Sequence, residues 1–346
     1  MSIGNTHEFF IQLHLTENCN LSCRHCYQEG RKTNEMSLSE IKDAINEISD
    51  TINEWSETYD IAFLRSFNVT GGEPLLFKDL FEILNEIRKK DFEIYLLTNG
   101  TLIDKKKAKA LLNAGIKGVQ VSLEGPENIH DSIRGRGSFF ASLNGVRNLL
   151  EAGLQVTLNV TLSAVNADHF INMIKIASTL GVQRLGFSRL VPSGKGLGML
   201  DEMIDKTKTK EIYEKIFSLN TDNLKIVTGD PVATQSTIGD FENDLGDFPS
   251  GGSAAGISGL TILPDGTITP CRRLPIPIGN VRKDSIREVW ATSSVLESLR
   301  DRAKYKGKCG LCKRWTGCRG CRAIAYAFSK TKGKNDFLSD DPQCFI

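Results

Sequence analysis

No stretch of this 346-residue sequence approaches the roughly 20 consecutive apolar residues that a membrane-spanning helix requires. Its opening residues, Met1 to Glu8, carry no basic segment followed by a long apolar one, so no secretory signal is expected and the chain is read as cytoplasmic. An excess of charge is missing too: 43 Lys and Arg stand against 42 Asp and Glu, a formal net charge of +1. With no basic excess and no basic run interleaved with aromatics, neither nucleic acid nor a membrane is an expected partner. No internal repeat and no low-complexity segment occurs, which argues against a solenoid. The hydrophobic (40%) and charged (25%) fractions are ordinary globular values. The length suits a barrel-like core with an appendage.

Cysteine is plentiful and unevenly placed. Of nine cysteines, three lie near the start and six after position 270. In a reducing compartment thiols stay free, so this clustering points to metal or redox work rather than disulfides. Cys19, Cys23 and Cys26 follow the apolar run 9–15. Three thiolates so close together can hold three irons of one cubane cluster and leave the fourth without a protein ligand. Such an iron stays open to a small molecule, as a catalytic zinc keeps one position free. A three-cysteine fragment of a zinc site, or three unconnected thiols, is the plainer reading of the spacing by itself.

The arrangement Cys-x3-Cys-x-aromatic-Cys at the end of a first strand, with His25 in the aromatic slot, resembles the signature of the radical S-adenosylmethionine (SAM) superfamily. The resemblance implies a [4Fe-4S] cluster on Cys19, Cys23 and Cys26 whose open iron chelates SAM. It also implies reductive cleavage of SAM to a 5′-deoxyadenosyl radical that takes a hydrogen atom from a substrate. Further segments follow in the order this family would show. Gly71, Gly72, Glu73 and Pro74 end a β-rich run, and the family's counterpart contacts the SAM amino group. The strand 94–100 ends in Asn99 and Gly100, like the family's Thr-Asn-Gly end. Ser122 and Glu124 stand where relatives meet the SAM ribose. Arg134 matches an arginine that meets the SAM carboxylate, a pairing that suits a planar guanidinium. Asn159, on the next strand, faces the adenosine in this reading.

Between these motifs the pattern alternates strand and helix. Ser37 and Glu40 offer a capping box, followed by Ile41, Ala44, Ile45, Ile48, Ile52 and Trp55 at helical spacing. Further helices are expected over 80–87, over 108–112 with a stop at Gly115, and near 139–150 and 169–180, with strands at 156–162 and 184–191. The polar stretch 207–210 and the Gly-Asp-Pro around Asp230 are read as connections. The expected fold is α/β: a partial (β/α)6 TIM-like barrel with parallel strands and its cofactors at their C-terminal ends, followed by a small cysteine-rich domain with a β-hairpin. The expected boundaries are 1–215 for the core, 216–250 for a linker and connecting helix region, and 251–346 for the appendage.

Past residue 251 a hairpin is expected with Asp265 and Gly266 at its turn. Cys271, Cys309, Cys312, Cys318, Cys321 and Cys344 together resemble a SPASM extension, which carries one or two auxiliary iron–sulfur clusters. Taken alone, the two close pairs also fit a zinc knuckle. The resemblance assigns Cys309, Cys312, Cys318 and Cys344 to one complete auxiliary [4Fe-4S] cluster. It leaves Cys271 and Cys321 two ligands short of a second, with Gly252 and Ser253 near the place where relatives have another cysteine. The expected activity is that of a radical SAM oxidoreductase or maturase, with peptide or protein modification of the ribosomal-peptide type placed slightly ahead. Tetrapyrrole side-chain modification in a heme or heme d1 type pathway is the alternative. The single auxiliary cluster and the lack of a leader-binding domain before the first strand lean towards it, as would cations such as Arg189, Lys195, Arg272 and Arg273 facing several carboxylates. Expected partners are SAM, a peptide or small-molecule substrate, an external flavodoxin- or ferredoxin-type electron donor and a separate leader-peptide-binding chain. A non-catalytic electron-transfer or zinc-binding protein would leave Gly-Gly-Glu-Pro and the Ser122/Glu124 strand without a task.

Overall fold

The computed structural model describes residues 6–28, 34–219, 221, 223–236 and 248–346. Seven parallel strands run in sequence order: β1 (Thr6–His14), β2 (Ala62–Thr70), β3 (Glu93–Thr98), β4 (Gly118–Ser122), β5 (Val156–Leu162), β6 (Arg184–Arg189) and β7 (Lys225–Thr228). Each pairs with the next in parallel register. The helices between them are α1 (Leu38–Tyr59), α2 (Leu80–Lys89), α3 (Lys105–Asn113), α4 (Glu127–Arg134), α5 (Ser138–Glu151), α6 (Phe170–Leu180) and α7 (Lys206–Ser218). The Ser37–Glu40 capping box forms as the sequence predicts, with the Glu40 carboxylate accepting from the Ser37 N–H at 2.7 Å.

Strand alternation sorts the side chains into two sets. On β5, Val156, Leu158, Val160 and Leu162 are buried in the core under the helices, while Thr157, Asn159 and Thr161 take the other face. On β1, Phe9, Ile11 and Leu13 join that core, and Gln12 and His14 occupy the opposite side. The inner face is therefore polar, and a cavity rather than a packed apolar plug occupies the space within the sheet.

Beyond β7 the chain returns to the first strand. β8 (Gly259–Ile262) pairs in parallel with β1, and β9 (Thr267–Thr269) and β10 (Gly279–Asn280) continue antiparallel. The result is one ten-stranded sheet in the order β10-β9-β8-β1-β2-β3-β4-β5-β6-β7. Gly266, at φ 81°, makes the expected hairpin turn. The C-terminal helix Arg322–Thr331 packs Ala323, Ile324 and Ala327 against Leu274 and Val191.

Two stretches read as connections turn out otherwise. Residues 207–210 lie inside α7, which Asp205 caps by accepting from Lys208 N–H at 2.7 Å. The apolar residues that fix this helix, Ile212, Tyr213 and Ile216, come only after its lysine-rich first turns. Asp230 caps a short 3-10 turn and is buried. Within the stretch 216–250, β7 extends the parallel sheet, and residues 220, 222 and 237–247 lie outside the described residues.

Candidate active site

After His14 the chain enters the cysteine loop, which backbone bonds stitch to the end of β2. Leu15 N–H donates to Thr70 O (3.0 Å), Gly72 N–H to Thr16 O (2.7 Å) and Glu73 N–H to Asn18 O (2.8 Å). The approach is so close that a Cβ on Gly72 would stand 2.3 Å from the Asn18 carbonyl oxygen. Glu73 turns inward: Oε1 accepts from the Thr98 hydroxyl (2.7 Å) and Leu75 N–H (3.2 Å), and Oε2 from Asn99 N–H (2.9 Å). Burial pushes its carboxyl pKa up in spite of these bonds. The side chain thus ties the ends of β2 and β3 together. Asn99 reaches back to the loop, donating to Asn20 Oδ1 at 2.9 Å, with its amide nitrogen 3.9 Å from Cys19 Sγ.

On the far wall Glu124 gathers a second group. Its Oε1 accepts from Arg134 Nε (2.9 Å) and Nη2 (2.6 Å) and lies 3.2 Å from His25 Nε2, while Oε2 accepts from Thr161 N–H (2.7 Å). Burial opposes the charge, but Arg134 and then His25 outweigh it and hold the carboxyl well below the usual range. Arg134, the last residue of α4, is thereby aimed at the loop, with Nη1 3.8 Å from Cys23 Sγ.

These walls enclose a cavity of about 270 Å³. Cys19, Cys23, Cys26, His25, Gly71, Gly72, Asn99, Ser122, Arg134 and Asn159 line it, whereas Glu73, Pro74 and Glu124 stand behind the lining. Burial raises the thiol pKa of both Cys19 and Cys26, and Cys23 adds to each shift, so the three thiols lie near one another. Among the described residues no three Cys, His, Asp or Glu converge tightly enough to hold a single metal ion. Thiolates that each bind a different iron of a cubane stand further apart than ligands of one ion, and this set of three, open to a cavity, fits such a cluster.

Sequence reasoning missed His14, Tyr27, Leu97, Gln120, Thr161 and Ser188. Tyr27, Leu97, Gln120, Thr161 and Ser188 line the same cavity, and the period-two alternation of the motif-bearing strands would have found most of them. His14 Nε2 is 3.5 Å from the Tyr27 hydroxyl and its Nδ1 has no partner. Burial, with Arg272 second, pulls the imidazole pKa down to about 3, so the ring is neutral.

A second cavity of about 1550 Å³ extends from the Thr6 end of β1 past Gln12 and Asn68 to Cys271 and Cys321. Leu97, Gln120, Arg272 and Arg273 border both cavities. Arg189 and Lys195 also border the smaller cavity, but the guanidinium of Arg189, read from sequence as a cation facing substrate, is buried and fully engaged. It donates to Asp230 (2.6 and 2.9 Å), Asp341 (2.7 and 2.9 Å) and Gln343 (2.8 Å). Lys195 donates to the Ser22 hydroxyl at 2.8 Å.

The C-terminal cysteines separate into two sets. Gln235 Nε2 lies 3.6 Å from Cys318 Sγ and 3.5 Å from Cys344 Sγ; Arg322 Nη2 lies 3.8 Å from Cys309 Sγ. Cys344 contributes to raising the Cys309 thiol, which burial pushes up to about 11, and Cys312 N–H bonds the Cys309 carbonyl. Cys271 and Cys321 instead line the larger cavity beside Arg273, with Ser253 on the same wall.

Comparison with known proteins agrees with this geometry. Residues 13–177 match the model of the radical SAM superfamily, and residues 255–321 match SPASM, an iron–sulfur cluster-binding domain. The AdoMet-dependent heme synthase of Methanosarcina barkeri is 30% identical over 96% of this chain and 95% of that protein. The mycofactocin maturase MftC of Mycolicibacterium smegmatis is 27% identical over 90% and 77%. The structure of Streptococcus suis SuiB bound to precursor peptide SuiA superposes with a TM-score of 0.74 at 17% identity, covering 98% of this chain and 76% of that one. That of anSMEcpe with bound AdoMet superposes at 0.73 and 20%, covering 97% and 94%. The motif order, the sheet that carries it and these matches together show that the chain belongs to the radical SAM superfamily and carries a C-terminal SPASM domain.

Proposed function

We propose that this radical SAM enzyme acts on a carboxylate-bearing tetrapyrrole, with Cys19, Cys23 and Cys26 holding the SAM-binding [4Fe-4S] cluster and Cys309, Cys312, Cys318 and Cys344 the auxiliary one. When bound, the cluster and SAM supply the 5′-deoxyadenosyl radical that removes a hydrogen atom from the substrate. The chain's own residues do the rest. Gly71 and Gly72 bring bare backbone to the cavity wall, Ser122 and Asn159 offer hydrogen-bonding groups to a ribose and adenine, and Glu124 sets the orientation of Arg134 towards a carboxylate. Electrons come from an external donor of flavodoxin or ferredoxin type.

The observation that carries the substrate class is the junction of the two cavities. The 270 Å³ pocket lined by the SAM motifs shares Leu97, Gln120, Arg272 and Arg273 with a cavity of about 1550 Å³, more than the roughly 300–1,000 Å³ of ordinary small-ligand pockets. The larger cavity has room for a macrocycle, and its Arg272 and Arg273 end borders the pocket assigned to SAM. The heme synthase, Fe-coproporphyrin III synthase and pre-heme d1 synthase among the relatives, each matched over 96% of this chain, support the same class. A second reading, peptide modification with a separate leader-binding chain, is supported by the similarity to mycofactocin maturase.

Anaerobically reconstituted protein given SAM, dithionite and iron coproporphyrin III is expected to form 5′-deoxyadenosine above its substrate-free rate and to change the porphyrin's mass. Short peptides encoded beside the gene serve as the competing substrates. Peptide modification without any porphyrin turnover would reverse the assignment.

A further inference from the structure

Of the four cations that the sequence offered to a polyanionic substrate, two are already engaged. Arg189 is surrounded by Asp230, Asp341 and Gln343, and Lys195 is bonded to Ser22 on the loop. Arg272 and Arg273 remain. They follow directly on Cys271 at the end of the hairpin and lie on the shared border of both cavities. Among the described residues Arg272 makes no hydrogen bond and no ion pair; its guanidinium carbon stands 5.8 Å from the centroid of the Tyr27 ring. Arg273 makes one long bond, Nη1 to the Arg189 carbonyl at 3.4 Å, and its buried Nε has no partner. The thiols of Cys321 and Cys271 influence Arg273 most, and the next in influence, the Asp230 carboxylate, is already bound to Arg189 and Tyr213.

Both guanidinium groups are half-buried at the cavity border, where two neighbouring positive charges with few protein partners repel each other. Such groups persist where an anion completes them. A guanidinium presents a planar fork, and two of them can hold one carboxylate through parallel N–H donors. The surroundings suit a carboxylate attached to an apolar or aromatic body: the Tyr27 ring lies against Arg272, and behind it His14 is a neutral ring.

We propose that Arg272 and Arg273 form a subsite for a carboxylate of the substrate, which fixes the adjoining carbon chain at the mouth of the SAM cavity. The subsite takes its ligand's identity, a tetrapyrrole bearing several carboxylates, from the reading above. The same chemistry is also present in SAM, so SAM and substrate are measured separately.

The test uses the anaerobically reconstituted holoenzyme as wild type, Arg272→Ala, Arg273→Ala and Arg272→Lys. Binding is titrated with coproporphyrin III, with its tetramethyl ester, with an acidic tetrapeptide of glutamates and with SAM. Either alanine variant is expected to weaken coproporphyrin III by about thirtyfold, as for removal of one partner of a buried charge pair, with the lysine variant in between. In wild type the neutral ester should bind far more weakly than the acid, a comparison that needs no variant to fold. Tight porphyrin binding that is indifferent both to esterification and to the alanine variants would overturn the subsite while leaving the tetrapyrrole reading intact. Arginine-dependent binding of the acidic peptide, with none of porphyrin, would keep the subsite and refute that reading. Binding of neither anion overturns the subsite, as does a loss confined to SAM.

Discussion

The N-terminal thiols sit on a loop that faces a cavity, and the arginine aimed at them is balanced by a carboxylate: Glu124 holds Arg134 from behind. The C-terminal set is built differently. Cys309 and Cys318 are buried, and the arginines around them are held by backbone carbonyls: Arg322 by Phe337 and Ser339, Arg319 by Thr316, Gly251 and Ser253. Their positive charge is therefore left to the thiolates. A cluster partly enclosed by protein, as Cys309 and Cys318 would make it while Cys312 and Cys344 stay half-buried, benefits from such compensation, because uncompensated charge in a low-dielectric interior is costly. A site that must admit SAM, itself a cation at sulfur, is better served by a wall whose arginine is balanced. On the proposed assignment, similar ligands serve two different ends, one open and reactive, one more enclosed and structural or electron-carrying.

Breaking the open side should have the largest effect. Replacing Cys19, Cys23 and Cys26 together by Ala is expected to abolish reductive SAM cleavage, measured as 5′-deoxyadenosine, while about four irons stay in the C-terminal set. Undiminished cleavage would show that the two regions have been assigned the wrong way round.

Breaking the closed side should halve the iron. Wild type is expected to hold about eight irons, four per cluster, and Cys344→Ala about four. Cys271→Ala should lose little, since Cys271 lies with Cys321 on the cavity side, away from the Gln235 contacts. Mössbauer-quantified iron distinguishes these outcomes, and a clear loss in the Cys271 variant would mean a second auxiliary cluster.

Arg189 joins the two regions: it sits at the end of β6 and grips Asp341 and Gln343 just before Cys344. Arg189→Met leaves two buried carboxylates without their partner, and a loss of about 3–5 kcal/mol is expected. Thermal unfolding should show it. A loss below about 1 kcal/mol would mean that the clusters, not this network, hold the C-terminal segment in place.

The smallest effect, over the window from pH 7 to 5, is a dependence on pH. The folded state keeps His14 neutral down to about pH 3, whereas the unfolded chain takes up the proton near 6.5. The stability this contributes is complete above about pH 6.5 and is lost as pH falls, by at most about 1.4 kcal/mol per unit, until about pH 3. His130, buried with a pKa of about 4, adds to the loss in the same direction. His14→Asn should flatten the decline in melting temperature between pH 7 and 5, and an unchanged slope would place the acid sensitivity elsewhere.

Local signals announced the strand-ending motifs well, because a glycine pair, a capping box and period-two strands each act within a few residues. Ser37, the β5 register and the Gly266 turn were legible for that reason. The α7 helix was obscured by the lysines that open it, since its apolar stripe begins six residues in. Asp230 looked like a turn residue, and Arg189 like a substrate cation. Neither position reveals by itself that residues 41 and 152 apart in sequence will meet in one buried network. The cavity-lining motifs could be ordered from sequence; which of their side chains face inward and which brace the wall, as Glu73 and Glu124 do, required the three-dimensional arrangement.

The position of β1 has a consequence for how the chain comes into being. The strand that delivers the cysteine loop lies between β2 and β8, and its β8 neighbour is encoded almost 250 residues later. During synthesis at roughly 5–20 residues per second, β1 waits roughly 12–50 s with one edge bare. Contacts of such long sequence separation also slow folding itself. For that interval the sheet beneath the three thiols has a bare edge, yet the cysteine loop is already bonded to Thr70, Ile133 and Gly196 of the N-terminal half, so the loop can be complete before the C-terminal half closes against the first strand.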